Sequence, residues 1–284
     1  MRSALRNAIL LLICVGAHQP VKAQTPDVAQ LLGDVQARYA SLQSYSATGE
    51  VLSRIISDGT ATLPAGQLPE TRGTFTIKLA RPQMYKIVWE TKTGQKDMSF
   101  SSKGAVWSDG ESRFVTVGGR TTQPSDTETA IAMATGVSGG AAHTIPSIFF
   151  DLSANGIAAA SKSAVLAGGE FVEGDDCYVV KAHDGNIDRT FWISKASKLI
   201  RQEMTTTSGS SGPTELTDSD ARQVLESIGQ TATDEAIRAL RAQMASAQEL
   251  MKSVRSSSRI EIHREIKINE PMLPSDFREK PSEE

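Results

Sequence analysis

A chain of 284 residues with 39% hydrophobic and 22% charged residues has the make-up of a globular protein large enough to bury one sizeable core or two small ones. Its formal net charge of −3 argues against nucleic acid or an anionic membrane surface as the main partner, since both call for a basic face. The two cysteines, Cys14 and Cys177, are too few for a disulfide framework.

The chain opens on Arg2 and Arg6, an apolar run from Ala8 to Ala17, and Val21-Lys22-Ala23 before Gln24. This pattern predicts a secretory signal over residues 1–23, cut after Ala23. The apolar run is about half the ~20 residues needed to span a bilayer, and no later stretch is longer. Cys14 lies inside the run after bulky Ile13, which does not suit a lipoprotein acylation site. Cleavage would leave 261 residues, remove Arg2, Arg6 and Lys22, take the net charge to −6 and leave Cys177 without a partner. Residues 24–284 hold no Pro-rich or Gly/Ser-rich linker that divides them, and one domain is expected.

Thr25-Pro26-Asp27 suits a helix start, with Thr25 as cap and Pro26 at the first position. Val28, Leu31, Leu32, Val35, Tyr39 and Leu42 follow as one buried stripe. From Ser44 the period falls to two, predicting strands over 46–56, 73–80, 84–91, 96–101, 105–107 and 112–117. Phe75, Ile77 and Leu79 share one face of the second strand, and Thr74, Thr76 and Lys78 the other. Turns are expected at Arg81-Pro82, Gly94, Asp109-Gly110 and Gly118-Gly119.

Ser125-Asp126-Thr127-Glu128 reads as a capping box opening a short helix that ends among Gly136, Gly139 and Gly140. Residues 145–152 form a second short apolar segment. Strands then resume over 163–166, 170–172, 177–182, 189–194 and 199–206. A polar loop at 208–212 leads to helices near 218–228 and 234–254, a helical insertion before the last strand at 259–269. The class is α+β, and a sheet of this length tends to curl.

Four stretches resemble the periplasmic lipoprotein carriers of the outer-membrane sorting pathway, the LolA-like superfamily, and its predicted periplasmic proteins in particular. They are the N-terminal helix running into Tyr39-Ala40-Ser41-Leu42-Gln43-Ser44-Tyr45 and Gly49, Leu79-Ala80-Arg81-Pro82 with Val106-Trp107-Ser108-Asp109-Gly110, Phe191-Trp192-Ile193-Ser194 with Leu199-Ile200-Arg201, and Ile266 to Pro271 with Asp276-Phe277. The resemblance implies a half-open, strongly curved antiparallel β-barrel, with an N-terminal helix and lid helices over an apolar cavity that takes acyl chains of lipid or lipoprotein. It also implies a periplasmic protein with no cofactor. Ile262, Ile266, Arg264, Trp89, Phe149, Phe150, Met244 and Met251 are the expected cavity residues.

Catalytic and metal motifs are missing from the sequence. His143, His183 and His263 fall in no metal-spaced pattern. Asp184-Gly185-Asn186-Ile187-Asp188 begins like a calcium loop, but Arg189 and Lys195 stand where it needs Gly and Glu, and a hairpin turn is expected instead. Gly136, Gly139 and Gly140 lack the Lys and Ser/Thr of a phosphate loop. Acidic neighbours of Cys177 disfavour its thiolate.

Two features go beyond packing. In the last strand, simple alternation puts Ile260, Ile262, Arg264, Ile266 and Ile268 on one face and Glu261, His263, Glu265 and Lys267 on the other. Arg264 then either snorkels at a bulge or strand end, or grips a lid helix or an anionic head group from within. Ile237, Leu240, Met244, Ala247, Met251 and Val254 form a narrow helical seam, which suits packing on the sheet, a lid or a partner surface. The expected function is a non-catalytic carrier of acyl chains. An envelope lipid sensor or interaction domain with the same fold, whose partners would be membrane-associated envelope proteins, is the alternative, and a hydrolase with a dispersed site is a third reading.

Overall fold

The computed structural model describes residues 26–59, 66–67, 70–95, 98–141, 143–152, 157–209, 216–227 and 230–278. The expected signal segment and its cleavage site lie outside them, as does most of the loop at 208–212. In chain order the elements are α1 (Val28–Ser41), β1 (Ser44–Ser57), β2 (Gly66–Gln67), β3 (Thr71–Ala80), β4 (Met84–Gln95), β5 (Met98–Asp109), β6 (Arg113–Val117) and β7 (Arg120–Thr122). Helices α2 (Thr127–Val137), α3 (Thr144–Phe149) and α4 (Ile157–Ala160) follow. Then come β8 (Val165–Val172), β9 (Asp175–Asp184), β10 (Ile187–Ser194), β11 (Ile200–Ser208), α5 (Asp218–Ser227), α6 (Asp234–Lys252), β12 (Val254–Ile268) and a 3-10 turn at Pro274–Asp276.

All the described strands join one antiparallel sheet in the order β7-β6-β5-β4-β3-β1-β12-β11-β10-β9-β8, with β2 paired to β1 off that path. The ends, β7 and β8, do not meet, so the barrel is open. Most of the chain runs as a meander, and the closing strand β12 slots between β1 and β11. Side chains from both halves of the sheet meet in one core: Phe75 and Ile77 of β3, Ile87 and Trp89 of β4, Val106 of β5, Val180 of β9 and Phe191 of β10 pack in the same cluster. A flat sheet this wide could not bring them together, so the cluster records its curl. This is the curved, half-open, α+β architecture that the resemblance implied.

Helix α1 buries Leu31, Leu32, Val35 and Tyr39, the anticipated stripe. Its cap is Asp27, whose side chain accepts from the Ala29 N–H; the predicted cap, Thr25, lies outside the described residues. The Tyr39 hydroxyl accepts the Ile200 N–H at 3.2 Å, tying α1 to the start of β11. Burial raises the Tyr39 pKa above the usual phenol range, so the hydroxyl stays protonated. Helix α2 is capped by Asp126, which accepts from the Thr129 N–H, while Ser125 donates to Asp126. The capping residue is therefore one later than the sequence box suggests.

Gly94 does not end a strand. It pairs with Ser99 within one long β4–β5 hairpin, so the expected strands at 84–91, 96–101 and 105–107 are two. The segments at 163–166 and 170–172 likewise form one strand, β8, with an irregularity between Leu166 and Gly168. Gly49, the last residue of the first resembling stretch, is needed for contact. A Cβ there would lie 2.2 Å from the Phe75 ring and 2.4 Å from the Ile262 carbonyl oxygen, so the ring can lie across β1 only over a glycine.

Candidate functional site

The lid over the concave face is built from the short helices. Helix α2 packs on β5 and β6, α1 on α3 and α4, and α4 on β9. Every residue of α3 is buried. Phe149 meets Phe150 edge-on at 5.0 Å between centroids, and Phe150 meets Tyr85 at 5.9 Å. The Arg81 guanidinium lies over the Phe149 ring at 4.6 Å, and offset aromatic and cation–π contacts of this kind fix ring orientation. Trp89 is 1% exposed in the same core, its indole N–H lacking a hydrogen-bond partner among the described residues. Phe150 and Ile266 are half-buried against it. Trp89, Phe149, Phe150 and Ile266 thus converge on the inner face.

Ile262 and Arg264 do not join them. Glu265 has a φ of 50°, and between the pairs Thr48–Arg264 and Ser46–Lys267 β12 spends two residues against one on β1. This bulge reverses the alternation. Ile266 and Ile268 face inward beyond it, whereas before it the inward residues are Arg259, Glu261 and His263. Ile262 lines an outer groove of about 620 Å³ with Leu52, Arg72 and Gln202. Arg264 stands on that outer side, bonded to Glu50 at 2.7 Å and Glu173 at 3.0 Å. The single-face grouping of residues 260–268 therefore fails at the bulge.

The seam on α6 has Ile237 buried and Leu240 and Met244 half-buried; the side chains of Ala247 and Met251 are outside what is described. Ile237 packs with Ala221 and Leu225 of α5 in a cluster of its own, apart from the main core. Asp184 to Ile187 form the β9–β10 hairpin turn, with Gly185 at φ 61°, and His183 pairs with Asp188 at 2.7 Å. Cys177 is buried on the opposite side of the sheet with Val179 and Trp192. Burial first, then the Asp175 charge, pushes its thiol to about 11, so it is no nucleophile at neutral pH.

Beneath the lid, sequence reasoning missed a polar cluster in the middle of the inner face. Glu203 on β11 stands directly opposite Glu261 on β12, and each is 0% exposed. The Arg259 Nε lies 3.2 Å from Glu261 and its Nη2 3.4 Å from Glu203. The Nη2 also approaches His143 Nδ1 at 3.2 Å and Thr205 Oγ1 at 3.4 Å. From the lid, the Thr144 hydroxyl donates to Glu203 at 3.1 Å. Thr205 donates to the other Glu203 oxygen at 2.6 Å. His263, 1% exposed, sits 3.8 Å from Glu261 and edge-on to Phe75.

Two facing carboxylates in so dry a place cannot ionise independently. Glu203 is pushed up, by burial first and then by the Glu261 charge. For Glu261 burial also opposes ionisation, but Arg259 and the two imidazoles outweigh it and hold the group below the ordinary carboxylate range. One oxygen or nitrogen from each of His143, Glu203 and Glu261 lies within 4.8 Å of the others, so among the described residues these three are placed to share a cation. Arg259, Glu261 and His263 read as the solvated side of a strand because their inward orientation depends on the bulge four residues on. Their spacing of two was the only sequence signal, and it shows a common face without saying which.

No described helix is long and apolar enough to cross a membrane. No protein-family model and no curated protein matches the chain. Among solved structures the chain is similar to LprF from Mycobacterium bovis, at 11% identity over 88% of this chain and 96% of that one, with a TM-score of 0.39. It is also similar to a DUF1329 family protein from Desulfovibrio piger ATCC 29098, at 11% identity over 88% and 95% of the two chains, with a TM-score of 0.29.

Proposed function

We propose that the protein is a non-catalytic periplasmic carrier that holds acyl chains of lipid or lipoprotein between the lid helices and the inner face of the sheet. One observation carries this reading: the buried face of an open, curled sheet is closed by short apolar helices instead of a second sheet. Helices of one to three turns add little stability by themselves and depend on the packing they make. An acyl chain can replace that packing, since each buried methylene contributes ~0.8 kcal/mol. Trp89, Phe149, Phe150 and Ile266 are the proposed contacts. The export signal expected over residues 1–23 supports the compartment.

Titration of an environment-sensitive acyl probe tests this. Probe emission should rise on binding, and Phe150→Ala, at the half-buried edge of the lid, should change the affinity. Arg264→Leu, on the outer face, should leave affinity unchanged. A probe that shows no enhancement with folded protein, or one displaced equally by both substitutions, would count against an inner acyl site.

A second reading is favoured by the separate small core of α5 and α6. A helical pair that completes its own packing is suited to presenting a surface, and the seam with Leu240 and Met244 would then meet an envelope partner while the cavity senses lipid.

A further inference from the structure

We propose that His143, Glu203 and Glu261, with His263 as the fourth donor, form a site for a divalent transition-metal ion of the zinc class that clamps the lid to the sheet. The donors come from distant parts of the chain: His143 precedes α3 in the lid, Glu203 lies on β11, and Glu261 and His263 lie on β12. His143, Glu203 and Glu261 already bring one donor atom each within 4.8 Å of the others.

A second, independent observation marks the place as a ligand site. His263 is 1% exposed, and neither of its ring nitrogens has a hydrogen-bond partner among the described residues. Glu261, which is 0% exposed, forms ion pairs at long range, with Arg259 Nε at 3.2 Å and His263 Nε2 at 3.8 Å, and no formal hydrogen bond among the described residues. Buried polar atoms are nearly always satisfied, and leaving one unsatisfied costs ~1–3 kcal/mol. The contact between these two residues, at 3.8 Å, is too long to be a hydrogen bond. A buried imidazole whose Nε2 faces a buried carboxylate without a hydrogen bond offers one donor to an ion shared between them.

The donor set selects the metal. Two imidazoles and two carboxylates suit zinc and its neighbours, whereas calcium takes six to eight oxygens and magnesium keeps its waters. Bonds of about 2.0–2.2 Å would bring the donor atoms to roughly 3.4 Å apart, a contraction that Glu side chains reach by changing rotamer.

Arg259 is the competitor. Its guanidinium stands among the same groups, but its contacts to them, at 3.2–3.4 Å, are longer than the ~2.7–2.9 Å of well-formed charged pairs. Its side chain is 20% exposed, and its Nη2 already reaches Thr205. Metal entry moves the guanidinium outward along that path. Because Gly140 packs on the Arg259 Cδ, the displacement is felt in the lid turn.

This inference stands apart from the acyl-carrier reading. The test strips the full-length protein with a chelator, reloads it with Zn²⁺ or Co²⁺ alone, and measures retained metal, the Co²⁺ d–d spectrum and the melting temperature, with no lipid present. One equivalent of metal, a tetrahedral Co²⁺ spectrum and a raised melting temperature are expected. His143→Gln, in the half-buried lid position, should weaken Zn²⁺ by at least the ~10–100-fold that losing a supporting contact costs at such sites. His263→Gln should do the same, and His183→Gln, at the exposed pair with Asp188, should change nothing. Absence of stoichiometric metal, or binding that survives His143→Gln and disappears with His183→Gln, overturns the site. Metal retention is read with no lipid present and acyl-probe binding on the metal-free protein, so failure of one proposal is distinguishable from failure of the other.

Discussion

Gly140→Ala probes the seating of the lid on the polar cluster. Gly140 has a φ of 104°, where an alanine pays about 1–3 kcal/mol in backbone strain. Its new Cβ would lie 2.1 Å from the Arg259 Cδ and 2.7 Å from Nε. Arg259 cannot step aside without lengthening its 3.2 Å approaches to Glu261 and His143, and overpacking of this kind costs a further ~1–3 kcal/mol. The expected loss is thus about 2–6 kcal/mol, a large share of an ordinary domain's stability. Urea unfolding followed by circular dichroism measures it. In an Arg259→Ala background the collision is gone and only the backbone part remains, so a double-mutant cycle should give a coupling of about 1–3 kcal/mol. Equal losses in both backgrounds, or a loss below about 1 kcal/mol in the parent, would refute the contact between the lid turn and Arg259.

Other substitutions test the remaining parts. Glu261→Gln should destabilise by about 3–5 kcal/mol, since it leaves the Arg259 charge poorly compensated inside the protein; Glu203→Gln, which keeps the Arg259–Glu261 pair, should cost clearly less by the same unfolding measurement. The Asp109 carboxylate is held below its ordinary range chiefly by the Ser112 N–H, with the Glu111 N–H and Arg278 adding to this against a burial cost. Its stabilisation is complete above the unfolded value near ~3.9 and is lost as pH falls through the lower folded value. Asp109→Asn should therefore flatten the acid limb of a stability–pH profile, and an unchanged limb would contradict this. Replacing 218–252 with a short Gly/Ser loop should leave strand-type circular dichroism intact, because α5 and α6 share their own small core and loop length costs little; an unfolded product would make the pair part of the main core.

The sheet was legible because alternation is a local property. Phe75, Ile77 and Leu79 lie on the inner face as their spacing demanded, and so does the stripe of α1. What failed were features set by pairing. Gly94 reads as a turn, yet β5 holds it in a ladder. The bulge at Glu265 reverses the strand's two sides, exchanging Ile262 and Arg264 for Glu261 and His263. Glu203 and His143 carried no signal, since the charged partners that define the cluster are far off in sequence, Arg259 being 56 positions from Glu203 and 116 from His143. Trp89, Phe149 and Phe150 were expected at an apolar cavity; Trp89 and Phe149 lie in the main core and Phe150 packs against it.

Native mass spectrometry of the protein purified from its own envelope, followed by organic extraction, tests acyl binding most directly. A carrier gives a fraction of molecules whose added mass is that of a lipid or acylated peptide, lost on extraction and absent from refolded protein. Protein of the bare polypeptide mass throughout, which also fails to enhance an acyl probe after refolding, would contradict the claim that the lid covers an acyl site.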